Sequence, residues 1–403
     1  MSEPSLLTIN AGSSSIKFAL FSAALAPALS LRGEIDGLGA TSTPAHFVAQ
    51  DVHGAVLADV PVAQVHDHQA ALAYLLDWLL TQRAVKLVAA GHRVVHGGEQ
   101  FAKPQLVDAS VMQALTALAP LAPLHQPHNL AAIRALQNLL PSLPQVACFD
   151  TSFHSSQGDL VRNFALPREL TAAGVRRYGF HGLSYEHIAS VLPDHLGSRA
   201  SGRIVVMHLG NGASMCAMHA GKSIASSMGF TALDGLMMGT RCGNIDPGVL
   251  LYLVQEKNYS MEKLTDLLYR QSGLLGVSGI SADMRILRES SDPHAREAID
   301  LFVYRIGREL GSMAAALGGL DGLVFTGGIG EHDIEVRRRV GEAAAWLGTR
   351  IDAAANQSAN GSKAQKISTA QSAIEAWIIP TNEESIIARH AAALFHSLTH
   401  TAR

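Results

Sequence analysis

The stretch LLTINAGSSSIKFALF, Leu6–Phe21, sets two apolar runs on either side of Asn10-Ala11-Gly12-Ser13-Ser14-Ser15. The runs predict two strands joined by a turn. A tight hairpin needs only one or two turn residues, so the extra polarity here suits a cradle for an anion. IVVMHLGNGASMCAM, Ile204–Met218, repeats the plan of strand, glycine-containing polar turn and strand. Gly12 and Gly212 lie about half the chain apart. Hairpins are common enough for a chance echo, but a duplicated domain explains the spacing better. Duplication would set two phosphate-facing turns across one cleft, where ligands commonly sit.

Bulk properties fit such a molecule. At 403 residues the chain exceeds the usual size of a single core, so two domains are expected. Apolar residues make up 48% and charged residues 16%, which is ample for burial and argues against disorder. A net charge of −3 offers no field for a polyanion, so nucleic acid is not an expected partner. MSEPSLL lacks the basic start and apolar run of a leader, and VMQALTALAPLAPL, broken by Pro120 and Pro123, is too short to span a bilayer. Cys148, Cys216 and Cys242 are odd in number and far apart, which indicates neither zinc nor disulfides and fits a reduced cytoplasm.

Strand-like and helical runs alternate, which predicts α/β architecture. VKLVAAGHRVVHGG reads as a strand entering a glycine loop, and HNLAAIRALQNLLP as a helix from near Asn129 to Pro141. QVACFDTSFH is a strand ending in polar residues, and AREAIDLFVYRIGRELGSMAAAL keeps helical periodicity over several turns. DGLVFTGGIGEHD reads as strand, glycine loop and helix start; ANQSANGSKAQ reads as a surface loop and PDHLGSRASGR as a connector. Thr381-x-x-Glu384 has the pattern of a capping box opening the last helix.

AGKS at Ala220–Ser223 imitates the end of a Walker loop, but Cys216 stands where that loop needs glycine. GNGASM and GGIGEH both lack the third glycine of a dinucleotide fingerprint. Each fragment alone reads as a plain turn. Together, NAGSSSIK, HLGNGAS, FTGGIGE and SADMR follow or flank strand-like runs and can turn backbone N–H groups toward a polyanion.

The segments INAGSSSIKF, GHRVVHGG, APLH, FDTSFH, RRYGFHG, HLGNGAS, MGTRCGNIDPG, FTGGIGE and PTNEE, in order along nearly the whole chain, resemble the acetate kinase family. The resemblance implies a duplicated actin-like ATPase (ribonuclease H-like) fold, with two domains flanking a cleft, usually as a homodimer. It implies the reversible reaction of ATP with acetate to give ADP and acetyl phosphate. Residues 1–150 with 382–403 would form the acyl and metal side, and 151–381 the nucleotide-binding domain.

A carboxylate titrates at about 4 and needs no base near neutral pH. The obstacle is repulsion between two anions, so positioning and fixed positive charge should carry catalysis. Arg93 in GHRVVHGG and Arg241 in MGTRCGN sit beside glycines, where a guanidinium fork can meet carboxylate or phosphoryl oxygens. A surface salt bridge is the plainer reading of either. The resemblance makes His181 a hydrogen-bond donor to the migrating phosphoryl group and gives His125 a similar role. It makes Asp150, which could otherwise cap a segment, an active-site carboxylate that orients substrate or organises metal-bound water.

Magnesium, with manganese as a substitute, would bridge the nucleotide phosphates. Its implied ligands are Asn10 and Glu383, Glu384 being occupied by the capping box. Lys17 and Ser15 would contact ATP, together with His208, Leu209, Gly210, Asn211, Gly212, Asp283, Met284, Arg285, Gly328, Ile329, Gly330, Glu331 and His332. The acid's pocket maps to Val95, Leu124, Phe180 and Ala232. The chain departs from the family pattern where Ala232 replaces a common proline, where HQPHN replaces an HNPPN type of stretch, and where Ala225 replaces a common aspartate. A smaller wall would admit one more methylene, which makes propionate the leading alternative and butyrate a further one. A sugar or alcohol kinase, with Asp150 as base, would have less use for two arginines. A nucleotide-switched binding protein of the Hsp70 or actin kind would need partner-binding segments for which little chain is left.

Overall fold

The computed structural model describes residues 3–40 and 43–401. The chain divides into two compact units, Met1–Phe153 with Asn382–Arg403, and His154–Thr381.

In the first unit one sheet is built from β1 (Pro4–Ala11), β2 (Ser15–Ser22), β3 (Leu29–Asp36), β4 (Ala45–Asp51), β5 (Val56–Val62), β6 (Lys86–Val94), β7 (Gln105–Leu106) and β8 (Gln145–Phe149). Its order is β5-β4-β3-β2-β1-β6-β8-β7. The first five strands are an antiparallel meander, β6 runs parallel to β1, and β8 runs parallel to β6. Phe18 stacks on Phe47, which meets Trp78 edge-on over one face of this sheet. The other face receives the helix Glu383–Thr401, which approaches closely at Gly91; a Cβ there would stand 2.5 Å from Ile387 Cγ2.

In the second unit β9 (Arg203–Leu209), β10 (Ala213–His219), β11 (Lys222–Ser226), β12 (Gly322–Thr326), β13 (Gln365–Lys366) and β14 (Glu375–Ile378) form a sheet in the order β11-β10-β9-β12-β14-β13. Here too an antiparallel trio is followed by two strands parallel to its first member. The run β3-β2-β1-β6-β8 in one unit therefore matches β11-β10-β9-β12-β14 in the other. This is the duplicated ribonuclease H-like α/β fold, and it explains the echo between the two hairpins.

Several local expectations need correction. The helix expected from Asn129 starts earlier and spans Gln126–Leu139, because Pro127 fits a first turn that has no need of its N–H. The connector PDHLGSRASGR begins as the end of helix Gly182–Leu196, with Pro193 inside it near the C-terminus, where little of the ladder is lost. In FTGGIGEH the glycines are the helix Gly327–His332 itself rather than a loop before it. Part of ANQSANGSKAQ is helical, Ala353–Ser358, capped by Asp352. The capping box at Thr381 does not form. Asn382 accepts from the Ser385 N–H at 3.1 Å, while the Thr381 hydroxyl turns to Ser184.

Candidate active site

In the first unit the functional side chains gather at the carboxyl ends of parallel strands, the edge where open α/β sheets bind ligands. Arg93 lies near the end of β6, Asp150 follows β8, Asn10 is near the end of β1, and Glu383 opens the last helix. Arg93 Nε donates to both Asp150 oxygens at 3.1 and 3.0 Å, and Nη2 donates to Oδ2 at 2.6 Å. Its Nη1 donates to Asn10 Oδ1 at 3.2 Å, and Glu383 Oε2 lies 3.8 Å from Nε. A guanidinium has five N–H donors, so Nη1 and Nη2 each keep one hydrogen for a further acceptor. Burial opposes the Arg93 charge, yet Asp150 and then Glu383 outweigh it and raise its pKa above the ordinary value.

Burial pushes Glu383 up to about 7; Asp150 and Glu384 add to the rise, against Arg93 and Lys17. Carboxylates crowded in this way suit a hard cation. Asn10 Oδ1 has a second lone pair to offer beside them. Among the described residues no group of three or more His, Cys, Asp or Glu forms a closed metal cage.

Lys17 is exposed and pairs with Asn10 across the hairpin, so the two share a face. The turn is closed by the Gly12 N–H donating to the Ser15 carbonyl at 2.8 Å, with Ser15 half-buried. His68 Nε2 donates to the Gly12 carbonyl at 2.6 Å and so ties the turn to the next helix. Val95 is buried, Leu124 is half-buried, and His125 occupies the position just before helix Gln126–Leu139. Asn129 was legible only as a helix start. Its side chain accepts from the Val95 N–H at 3.0 Å and donates to the Ala11 carbonyl at 2.7 Å, so it fixes two strand ends at once.

In the second unit His181 has φ 58°, left-handed for a non-glycine residue, just before helix Gly182–Leu196. A site that holds such a conformation must be over-determined by its surroundings. His154 supplies part of that constraint. Its Nε2 donates to the Phe180 carbonyl at 2.9 Å, and its Nδ1 meets Ser223 Oγ at 2.8 Å. Burial lowers the His154 pKa to about 4. The ring of His181 stacks on that of His208, with centroids 4.3 Å apart.

Arg241 Nη1 donates to the Ala232 carbonyl at 2.6 Å. A Cβ added to Gly212 would stand 2.8 Å from Arg241 Nη2 and 3.2 Å from His181 Nε2. Glycine in the second turn thus lets an arginine and a histidine converge on its backbone. Phe180 is buried and Ala232 half-buried in this unit.

A cavity of about 870 Å³ opens nearby in the same unit, lined by Gly210, Asn211, Asp283, Met284, Arg285, Gly328, Ile329 and His332. Ala282, Arg288, Glu289, Asp333 and Ile334 line it as well; Ala282 and Asp333 lie in quoted segments, while Arg288, Glu289 and Ile334 carry no motif. Asp283 caps helix Met284–Glu289 and pairs with Arg285, while Arg288 pairs with Asp333 at 2.7 Å. Leu209, Gly212, Gly330 and Glu331 do not line this cavity. The Glu331 carboxylate instead accepts from the Gly327 N–H at 2.8 Å, the Thr381 N–H at 3.0 Å and the Thr326 hydroxyl at 3.2 Å.

The duplicated ribonuclease H-like fold thus sets a polar cluster at the strand ends of each half. Residues 5–389 match the Acetokinase family. An acetate kinase of Rhodopseudomonas palustris is 58% identical over 387 residues, 96% of this chain and 97% of that relative. Among solved structures, an acetate kinase of Porphyromonas gingivalis has a TM-score of 0.86 at 34% identity, covering 97% of this chain and 99% of that one. A propionate kinase from Francisella tularensis has a TM-score of 0.89 at 35% identity, with 98% and 100% covered. The chain belongs to the acetokinase family.

Proposed function

We propose that the chain transfers the γ-phosphoryl group of ATP to acetate, reversibly, giving acetyl phosphate and ADP. A carboxylate oxygen forms the new bond to phosphorus as the bond to the β-phosphate oxygen breaks. The observation that carries this reading is the Arg93 cluster, a half-buried guanidinium aligned by Asp150 and Asn10 with two N–H groups left to give. A neutral hydroxyl substrate would have little use for it. Asp150 then serves to hold Arg93, and no base is required of it.

Arg241 and His181 are assigned to the oxygens of the migrating group, where fixed donors act without reorganising. His125 is assigned a supporting part in the same stabilisation. The nucleotide is assigned to the cavity of the second unit, whose Met284, Ile329 and Ile334 offer apolar surface to a base while the Gly210 and Gly328 segments offer backbone to phosphates. His208, Leu209, Gly212, Gly330 and Glu331 are assigned to shape that phosphate-binding backbone, with Ser15 and Lys17 as further phosphate contacts. Magnesium would be held by Asn10 and Glu383, and when bound it offsets phosphate charge. Val95, Leu124, Phe180 and Ala232 are assigned to the acid's methyl group. Propionate is the second acid, because Ala232 is small.

A homodimer is part of the proposal. Helix Pro247–Gln255 buries none of its residues and leaves Val249, Leu251, Tyr252 and Val254 exposed, an apolar face suited to a second copy. Among the described residues no helix is long and apolar enough to cross a membrane. Three free cysteines accord with a reduced cytoplasm.

The test supplies ATP, magnesium and hydroxylamine with acetate, propionate, butyrate or glycerol in turn. Hydroxamate from acetate above that from the other acids is expected. Phosphorylated glycerol without hydroxamate would overturn the reading, and stoichiometric ATP binding without turnover would favour a nucleotide-switched binding protein.

A further inference from the structure

In the turn between β1 and β2 the backbone polarity is sorted by side chains from two helices. Helix Gln126–Leu139 supplies Asn129, whose Nδ2 donates to the Ala11 carbonyl at 2.7 Å. Helix His68–Asp77 supplies His68, whose Nε2 lies 2.6 Å from the Gly12 carbonyl. The Ser14 carbonyl accepts from the Leu38 N–H at 2.8 Å, and the Ser15 carbonyl from the Gly12 N–H at 2.8 Å. Ser13 and Ser14 are exposed, and among the described residues neither of their N–H groups donates a hydrogen bond. Most carbonyl groups of the turn are therefore spent, while N–H groups are left to give.

We propose that His68, with His128 packed behind it, is the positioning residue that turns the Ser13 N–H outward as a donor to phosphate. The Gly12 carbonyl and the Ser13 N–H belong to one peptide plane and, across a trans bond, point in opposite directions. Whatever fixes the first therefore aims the second. A carbonyl only accepts, so Nε2 of His68 carries the hydrogen in either charge state of the ring. The His128 ring stacks on that of His68, with centroids 5.2 Å apart and planes inclined by 25°, and so limits its swing. Burial, then His68, lowers the His128 pKa, so this backing ring is uncharged near neutral pH. His128 lies in HQPHN, one of the stretches where the chain departs from the family pattern.

The consequence for binding deepens the functional reading above and rests on its placing of phosphate at this turn. Main-chain N–H groups left facing outward make an anion-binding concavity, and a carbonyl turned among them would oppose the anion. A donor aimed in advance also binds without reordering the turn. Substituting Ser13 leaves its N–H in place, so the part played by that group is read through His68.

The test compares two variants of the full chain. His68→Phe keeps a ring against His128 and has no donor, whereas the side-chain amide of His68→Gln can still donate to Gly12. Deuterium exchange, read by mass spectrometry on peptides covering Asn10–Ser15, follows the turn with no substrate present. His68→Phe should speed exchange there about fivefold, the order of one lost hydrogen bond, and His68→Gln should leave it near the parent. In the hydroxamate assay His68→Phe should raise the KM for ATP about fivefold and move the KM for acetate less than about twofold. His68→Gln should recover most of that loss, and His128→Ala should raise the KM for ATP only about twofold. Unchanged exchange in His68→Phe, or equal losses in His68→Phe and His68→Gln, would overturn the proposal. So would a lowered thermal midpoint with both KM values raised alike, because His68 would then serve folding alone. Faster exchange with an unmoved KM for ATP would uphold the hold of His68 on the turn and instead overturn the placing of phosphate there.

Discussion

The two sheets share one topology and put opposite chemistry at equivalent positions. Ile9 pairs with His92 in the first unit and Met207 with Phe325 in the second, so Asn10 corresponds to His208 and Arg93 to Thr326. Arg93 pairs with Cys148 and Thr326 comes next to Ile379, which makes Asp150 the counterpart of Thr381. The first unit joins its strand ends with a cation, Arg93 reaching Asn10 and Asp150. The second joins them with an anion, since Glu331 collects Thr326, Gly327 and Thr381. Gly327, at φ 76° and with 2.8 Å from a would-be Cβ to the Leu209 carbonyl, can only be glycine. At these strand ends one half therefore offers side-chain charge and the other backbone, while Arg241 and His181 of the second half stand outside its strands. Duplication supplied the frame, and the strand-end residues decide what each half can hold.

The largest effect should come from removing the charge. Arg93→Ala and Arg241→Ala are each expected to lower kcat roughly 10³-fold or more in the hydroxamate assay, by analogy with other phosphoryl-stabilising arginines. Rates within tenfold of the parent would break the division of labour at the strand ends for Arg93, and the placing of Arg241 at the migrating group. Arg93→Lys should recover little, because an ammonium cannot grip Asp150 and Asn10 while keeping two N–H groups aligned.

Next comes the glycine of the second turn. Gly212 has no left-handed φ, so alanine there costs no backbone strain. Its Cβ would press on Arg241 Nη2 and His181 Nε2. Gly212→Ala should therefore cut kcat by roughly 10²-fold, the order expected when reacting groups are misplaced by about 1 Å. The thermal midpoint should stay near that of the parent. A fall in stability with unchanged kcat would mean the glycine serves folding alone.

Much of this was legible in the chain. The hairpin echo gave the duplication, because turn chemistry and apolar runs are local. Arg93, Asp150, Asn10 and Glu383 were visible through motif resemblance, and the coordinates bring the four together. The contacts around His181 were not legible. Ser214 lies in a quoted segment and Tyr185 in none, and nothing local says that their hydroxyl groups, distant in sequence, will meet beside that ring. Nothing local in FTGGIGE shows that the Glu331 carboxylate will accept from the Gly327 and Thr381 N–H groups. Thr381 looked like a helix cap because the pattern cannot see Ser184, which competes for its hydroxyl.

Acid should weaken both halves through buried histidines. His96 in the first unit and His154 in the second are each lowered to about 4 by burial. Unfolded histidine titrates near about 6.5, so between these values the unfolded chain binds more protons and stability falls as pH drops. At pH 5.5 each histidine should subtract about 1.4 kcal/mol relative to pH 7.5. Urea unfolding at the two pH values measures this. His154→Gln should remove one such share of the slope and leave that of His96. A slope unchanged by His154→Gln would mean that His154 is not held neutral.

The smallest effect concerns the choice of acid. Ala232 combines a short side chain with a carbonyl that accepts from Arg241 Nη1 at 2.6 Å. Among the described residues its N–H makes no hydrogen bond, so proline there would keep the carbonyl and sacrifice no donor. Ala232→Pro should leave acetate turnover within about twofold and lower kcat/KM for propionate about 5- to 10-fold, near the low end of what one methylene can decide. If both acids fell together, the carbonyl rather than the side chain would be the part of Ala232 that matters, and its link to Arg241 would explain the loss. If neither changed, Ala232 would not touch the acid, and its departure from the family's proline would leave selectivity to Val95 and its neighbours.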